Sequence, residues 1–182
     1  MNPNRSEEIF DVVDEADRVI GAEPRAVVHA RKLRHRAVHV LLADREGRVF
    51  LQLRSPHKDQ APNRWDSSCS GHLDSGEDYD EAAYREVGEE LGVRLPPGSL
   101  RRILKLDAGP QTGNEFVWIY EGRHDGPFIL HPEEISDGRF LAPAEIDRAI
   151  LERPHEFSRA FAHVWDRARH RFPGGAGAGR TH

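Results

Sequence analysis

Apolar residues in the first two thirds of the chain fall mostly at every second position. The runs 8–14 and 18–21 predict a small hairpin turning around Glu15–Ala16–Asp17. Residues 36–43 (RAVHVLLA) form a near-continuous apolar run, the pattern of a strand covered on both faces. Residues 48–54 (RVFLQLR) alternate and, across the turn at Glu46–Gly47, predict its partner. The polar stretch 55–64, with Pro56 and Pro62, predicts a loop, and 100–106 and 115–120 predict two further strands.

Helical spacing appears three times. Residues 78–91 start at a capping Asp78 with Glu81 three positions on, and stop at Gly92. A second helix, 143–152, opens with Pro143. A third is predicted over 155–171, where Phe157, Phe161 and Trp165 form a stripe at i, i+4, i+8 that belongs in a core. Trp65, Phe116, Trp118 and Tyr120 read as core residues too. Sheet and helix mixed in this order predict an α/β sandwich. One domain is expected over 1–172, with a Gly-rich flexible tail at 173–182.

Composition narrows the partners. A formal net charge of -5 argues against a nucleic-acid backbone as the main ligand. No apolar run is long enough to span a membrane, and the charged first ten residues lack a secretory h-region. The single cysteine, Cys69, admits no intrachain disulfide, which suits a cytoplasmic protein.

The candidate chemistry lies between Gly71 and Val93. On a helix Glu86, Glu89 and Glu90 share an arc of about 100° beside the apolar stripe Ala83, Val87 and Leu91. Like charges so placed repel. A hard divalent cation, Mg²⁺ or Mn²⁺, would relieve that repulsion through oxygen ligands. A bare E-x-x-E-E is usually a solvated face. Here, however, Gly71 is followed after five residues by Glu77, and after seven more by Arg85–Glu86–Val87–Gly88–Glu89–Glu90–Leu91–Gly92–Val93.

This stretch resembles the Nudix box at all nine of its specified positions. The resemblance implies a Nudix-type α/β/α sandwich with a mixed sheet and a hydrolase of small-molecule diphosphates. It implies metal ligation by Glu86, Glu89 and Glu90, with Glu89 or Glu90 activating water. Arg85 and Glu77 would orient the carboxylates, and Gly71 would lend close backbone approach or its carbonyl. A homodimer is an expected assembly for the family.

Over residues 9–120 the chain is also similar to the branch containing type I isopentenyl diphosphate isomerase. That resemblance rests on Asp14–Glu15, Arg25, His29, His35–Arg36–Ala37, Gln52–Leu53–Arg54–Ser55, Lys58, Trp65 and Ser70–Gly71–His72. It implies a second metal at His29, His35, His72 and Glu115, and phosphate contacts from Arg25, Arg54 and Lys58. Two departures stand out. Ser70 replaces the isomerase's cysteine, with Cys69 one residue early and so turned to the other face of a strand. Gly113 replaces its second glutamate. His39, unmatched in the isomerase, reads as structural. The hydrolase reading leads; an isomerase-like enzyme and a non-catalytic ligand-binding module are the alternatives.

Overall fold

The computed structural model describes residues 8–172; the expected tail at 173–182 lies outside the described residues. The chain begins with a separate two-stranded antiparallel sheet, β1 (Ile9–Val13) and β2 (Val19–Pro24). Asp14 closes the turn between them by accepting the Ala16 and Arg18 amides. A seven-stranded mixed sheet follows: β3 (His35–Ala43), β4 (Val49–Arg54), β5 (Trp65–Asp66), β6 (Cys69–His72), β7 (Arg101–Leu106), β8 (Glu115–Arg123) and β9 (Ile135–Leu141). Its helices are α1 (Arg25–Arg31), α2 (Tyr79–Leu91), α3 (Pro143–Glu152) and α4 (Arg159–Ala168).

The central strand β3 runs parallel to β8 on one side and antiparallel to β6 on the other. Its alternation sorts the layers. Ala37, Leu41 and Ala43 join Ile146, Phe161 and Trp165 beneath α3 and α4. Val38, Val40 and Leu42 join Ala83, Val87 and Leu91 beneath α2. The sheet therefore lies between two helical layers, the α/β/α sandwich that the resemblance implies.

Some boundaries differ from the sequence reading. The last helix does not begin at 155. Phe157 is extended, and Ser158 caps α4 by accepting the Phe161 amide, so Pro154–Glu156 and Arg169–Arg171 are short 3-10 turns outside it. Phe157, Phe161 and Trp165 still pack in the core. Strand β8 continues to Arg123, because β3 offers it a parallel partner as far as Ala43. Helix α1 and strand β9 have no counterpart among the predicted elements. β9 pairs along β4, with Gly138 against the Phe50 ring, where a β-carbon would come within 2.2 Å of Phe50 Cζ.

Candidate active site

Helix α2 organises one end of the site. Asp78 Oδ1 accepts the Asp80 and Glu81 amides, and the Glu81 carboxylate accepts the Asp78 amide in return. Gly92 ends the helix at φ 66°. Burial of Ala83, Val87 and Leu91 then turns Glu86 and Glu90 inward, while Glu89 stays at the solvent edge.

Arg85 braces this face. Its Nε and Nη2 donate to the two oxygens of Glu77 at 2.8 and 2.9 Å. Its Nη1 donates to Glu86 at 2.8 Å and to Glu89 at 3.2 Å, and Nη2 also reaches the His72 carbonyl at 2.9 Å. Gly71 is required sterically, since a β-carbon there would sit 1.9 Å from Glu86 Oε1. Glu90 Oε2 accepts from Gln52 Nε2 at 3.1 Å and from the Ser70 amide at 3.3 Å. Burial, and after it the charge of Glu90, pushes Glu86 up to about 8. Burial likewise raises Glu90. Two buried, mutually repelling carboxylates with Glu89 beside them fit a divalent cation, whose charge would reverse both shifts.

The other end is assembled from scattered elements. α1 supplies His29 one turn after Arg25, β3 opens with His35, β6 ends with His72, and β8 opens with Glu115. The parallel register places Glu115 directly beside His35. Glu115 Oε1 lies 3.1 Å from His72 Nε2 and 3.5 Å from His35 Nε2. One ligand nitrogen from each histidine falls within 4.8 Å of the others. Phe10 of β1 stacks on His72 and His35 at centroid distances of 4.8 and 5.7 Å and holds the rings in place. The Nε2 atoms of His29 and His35 are buried without a hydrogen-bond partner. Burial, then the neighbouring His72 and His35, pushes His29 down to about 4, so its ring is neutral near pH 7. For Glu115 burial works upward, but the neighbouring His35 and His72 outweigh it and hold the carboxyl well below its usual range. Two buried ring nitrogens without hydrogen-bond partners, beside His72 and a carboxylate, fit a transition metal.

A single cavity of about 330 Å³ joins the two ends and is lined by Arg25, Arg54 and Lys58 as well. None of these cations is a free clamp. Arg25 pairs with Asp59 at 3.1 Å and Glu8 at 3.6 Å. Arg54 donates to the Gln60 carbonyl and lies 3.4 Å from Asp66. Lys58 pairs with Glu134. A phosphate entering here would compete with those acids.

Glu134 is a site residue that the sequence reading missed. It is buried and its charge acts on Glu90, but it precedes β9, a strand without periodic signal. His39 also lines the cavity, although it makes the buried bond expected of a structural residue. Cys69 packs in the apolar cluster under α2, where burial pushes its thiol well above the ordinary value, while Ser70 faces the cavity. Gly113, at φ 68°, brings no carboxylate to Glu115. Trp65, Phe116 and Tyr120 are buried in the core and Trp118 packs partly buried against it.

The NUDIX domain family model matches residues 33–164. An uncharacterized Nudix hydrolase of Streptomyces coelicolor is 41% identical over 81% of this chain and 81% of its own. A protein of Aromatoleum aromaticum named isopentenyl-diphosphate Delta-isomerase 1 is 30% identical over 81% of this chain and 84% of its own. Among solved structures, a Deinococcus radiodurans crystal structure superposes with a TM-score of 0.80 at 32% identity, covering 88% of this chain and 98% of that one. With the box residues gathered at one end of a single cavity, the chain belongs to the NUDIX domain family, among the Nudix hydrolases.

Proposed function

We propose that the protein is a Mg²⁺- or Mn²⁺-dependent hydrolase that cleaves the diphosphate linkage of a small phosphorylated metabolite. A nucleoside diphosphate derivative and an isoprenoid diphosphate are the two substrate classes in view. The observation that carries this reading is the cavity itself: Glu86 and Glu89 open into the space lined by Arg25, Arg54 and Lys58, with Glu90 buried one turn behind Glu86. When bound, the cation would neutralise phosphate charge and lower the pKa of the attacking water. Glu86, Glu89 and Glu90 would hold it, with the Gly71 carbonyl beside them. Arg85, fixed by Glu77, keeps Glu86 and Glu89 oriented for that task. Arg25, Arg54 and Lys58 would hold the phosphates by charge-assisted hydrogen bonds, exchanging their present acids for phosphate oxygens. Glu89 or Glu90 would take the proton of the attacking water.

His29, His35, His72 and Glu115 are proposed as a second metal site, carried by the two buried, unpartnered Nε2 atoms. The isomerase-named relative favours one alternative, double-bond isomerisation of isopentenyl diphosphate. Ser70 at the cavity wall and Gly113 beside Glu115 weigh against it. A cytoplasmic setting, a small-molecule rather than nucleic-acid ligand, and a homodimer complete the reading. Among the described residues no helix is long and apolar enough to cross a membrane.

The test is release of phosphate or of phosphomonoesters, identified by mass spectrometry, from a panel of nucleoside diphosphates, nucleotide sugars and isopentenyl diphosphate with Mg²⁺. Release by the wild type and none by Glu90→Gln is expected. Conversion of isopentenyl to dimethylallyl diphosphate without phosphate would establish the isomerase instead. Tight binding without turnover of any compound would establish a binding module.

A further inference from the structure

We propose that His39 contacts the substrate, presenting a neutral N–H donor from imidazole Nε2 to a diphosphate oxygen; this rests on the diphosphate reading above. His39 lies at the middle of β3, 4% exposed, and that small exposure opens on the cavity. Its β-ladder neighbours are Ser70 of β6, which also lines the cavity, and Ile119 of β8.

The hydrogen bonds decide which nitrogen carries the proton. His39 Nδ1 and Ser67 Oγ are 2.7 Å apart. Ser67 is fully buried, and its hydroxyl has no other recorded hydrogen bond among the described residues. A buried hydroxyl proton left without an acceptor is costly. Asp66 Oδ1 does not take it; that oxygen accepts the Ser67 amide at 2.8 Å and lies 3.9 Å from Nδ1. Ser67 therefore donates to Nδ1, Nδ1 is the acceptor, and the ring's one proton sits on Nε2. Burial lowers the ring's pKa and keeps it neutral. With Nδ1 turned back to Ser67, Nε2 is the nitrogen left for the cavity.

This donor differs in kind from the three cations. Arg25, Arg54 and Lys58 each face an acid that a phosphate must displace. His39 Nε2 has no such competitor among the described residues, so its bond to a phosphate oxygen displaces no internal ion pair. Asp66 links the two kinds of contact, since it lies 3.4 Å from Arg54 Nη1 while anchoring the Ser67 amide.

The test uses the full chain with Mg²⁺ and methylenediphosphonate, a diphosphate that cannot be cleaved at its bridge. Histidine ¹⁵N spectra should show His39 protonated on Nε2, and the diphosphonate should shift that resonance. His39→Leu should weaken diphosphonate binding about tenfold. His39→Gln, which restores an N–H donor, should recover most of the loss. Ser67→Ala, which leaves His39 in place but frees Nδ1, should shift the tautomer ratio and weaken binding by a smaller factor. A ring protonated on Nδ1, an unmoved resonance, or a glutamine variant as weak as leucine would overturn the proposal. Should the leucine variant fail to fold, the serine variant and the wild-type spectra still decide it. A shifted resonance in a protein that hydrolyses nothing would sink the hydrolase reading and leave the contact standing.

Discussion

The two ends of the cavity are built on opposite plans. At the carboxylate end Glu77, Glu86, Glu89 and Glu90 all come from one stretch of chain, Gly71 to Gly92, and Arg85 ties four backbone and side-chain partners together. At the histidine end four residues arrive from α1, β3, β6 and β8, and two ring nitrogens are left without partners. The first end is braced by its own local sequence. The second depends on the tertiary fold for its existence and on a ligand for its satisfaction.

The contrast is broken most directly at its centre. Glu86→Gln and Glu90→Gln should each lower kcat by two to four orders of magnitude, the range of a lost acid–base or ligand group, with circular dichroism unchanged. Equal losses from His72→Ala would mean that the ends act as one unit and that the division is wrong. Gly71→Ala and Arg85→Lys should follow with 10–100-fold losses in Mg²⁺ affinity or turnover, measured by calorimetry and steady-state rates. The alanine would collide with Glu86, and lysine lacks the fork that holds Glu77, Glu86 and Glu89 together. His35→Ala or His72→Ala should reduce hydrolysis less than tenfold while removing one equivalent of tightly bound transition metal. Metal analysis on purified variants checks the stoichiometry.

The pH dependence sharpens the comparison because the ends carry opposite signs. Glu86 is raised to about 8 in the metal-free protein, so the folded state holds a proton that the unfolded state has lost. Its contribution is full below the ordinary carboxylate value and is lost as pH rises toward 8. His29 is lowered to about 4, so between pH 4 and 6.5 the unfolded state binds the extra proton and stability rises with pH. Glu115, also held low, contributes above the ordinary carboxylate range and loses that contribution as pH falls through its depressed value. Between pH 4.5 and 6.5 the two slopes offset; above 6.5 only the Glu86 slope remains, so thermal melts of metal-free protein should fall toward pH 8, and saturating Mg²⁺ should remove the fall. A Glu86→Gln melt that keeps the fall at high pH would detach it from the carboxylate end.

The same contrast explains what could be read before the fold was known. Helix α2 is legible because its signals are local: Asp78 and Glu81 cap it, Gly92 ends it, and the glutamate spacing needs only helical geometry. Helix α1 is short, follows Pro24 and has no side-chain cap, so nothing local announces it, yet it brings Arg25 and His29 to one face. Strand β9 reads as polar chain with a glycine; only the ladder along β4 and the Phe50 ring under Gly138 make it a strand. Glu134 was invisible for that reason. His39 read as structural because a histidine in an apolar strand usually is; the cavity on its far side comes from chain segments distant in sequence.

The sequence by itself determined the mixture of strands and helices and the glutamate-bearing helix α2, because periodicity, capping and helical spacing act within a few residues. Tertiary structure decided that Glu86 and Glu89 share one cavity with His72 and Glu115, that its cations face internal acids, and that Ser67 sets the His39 tautomer. Those depend on strand register and on burial, which are properties of distant segments packed together.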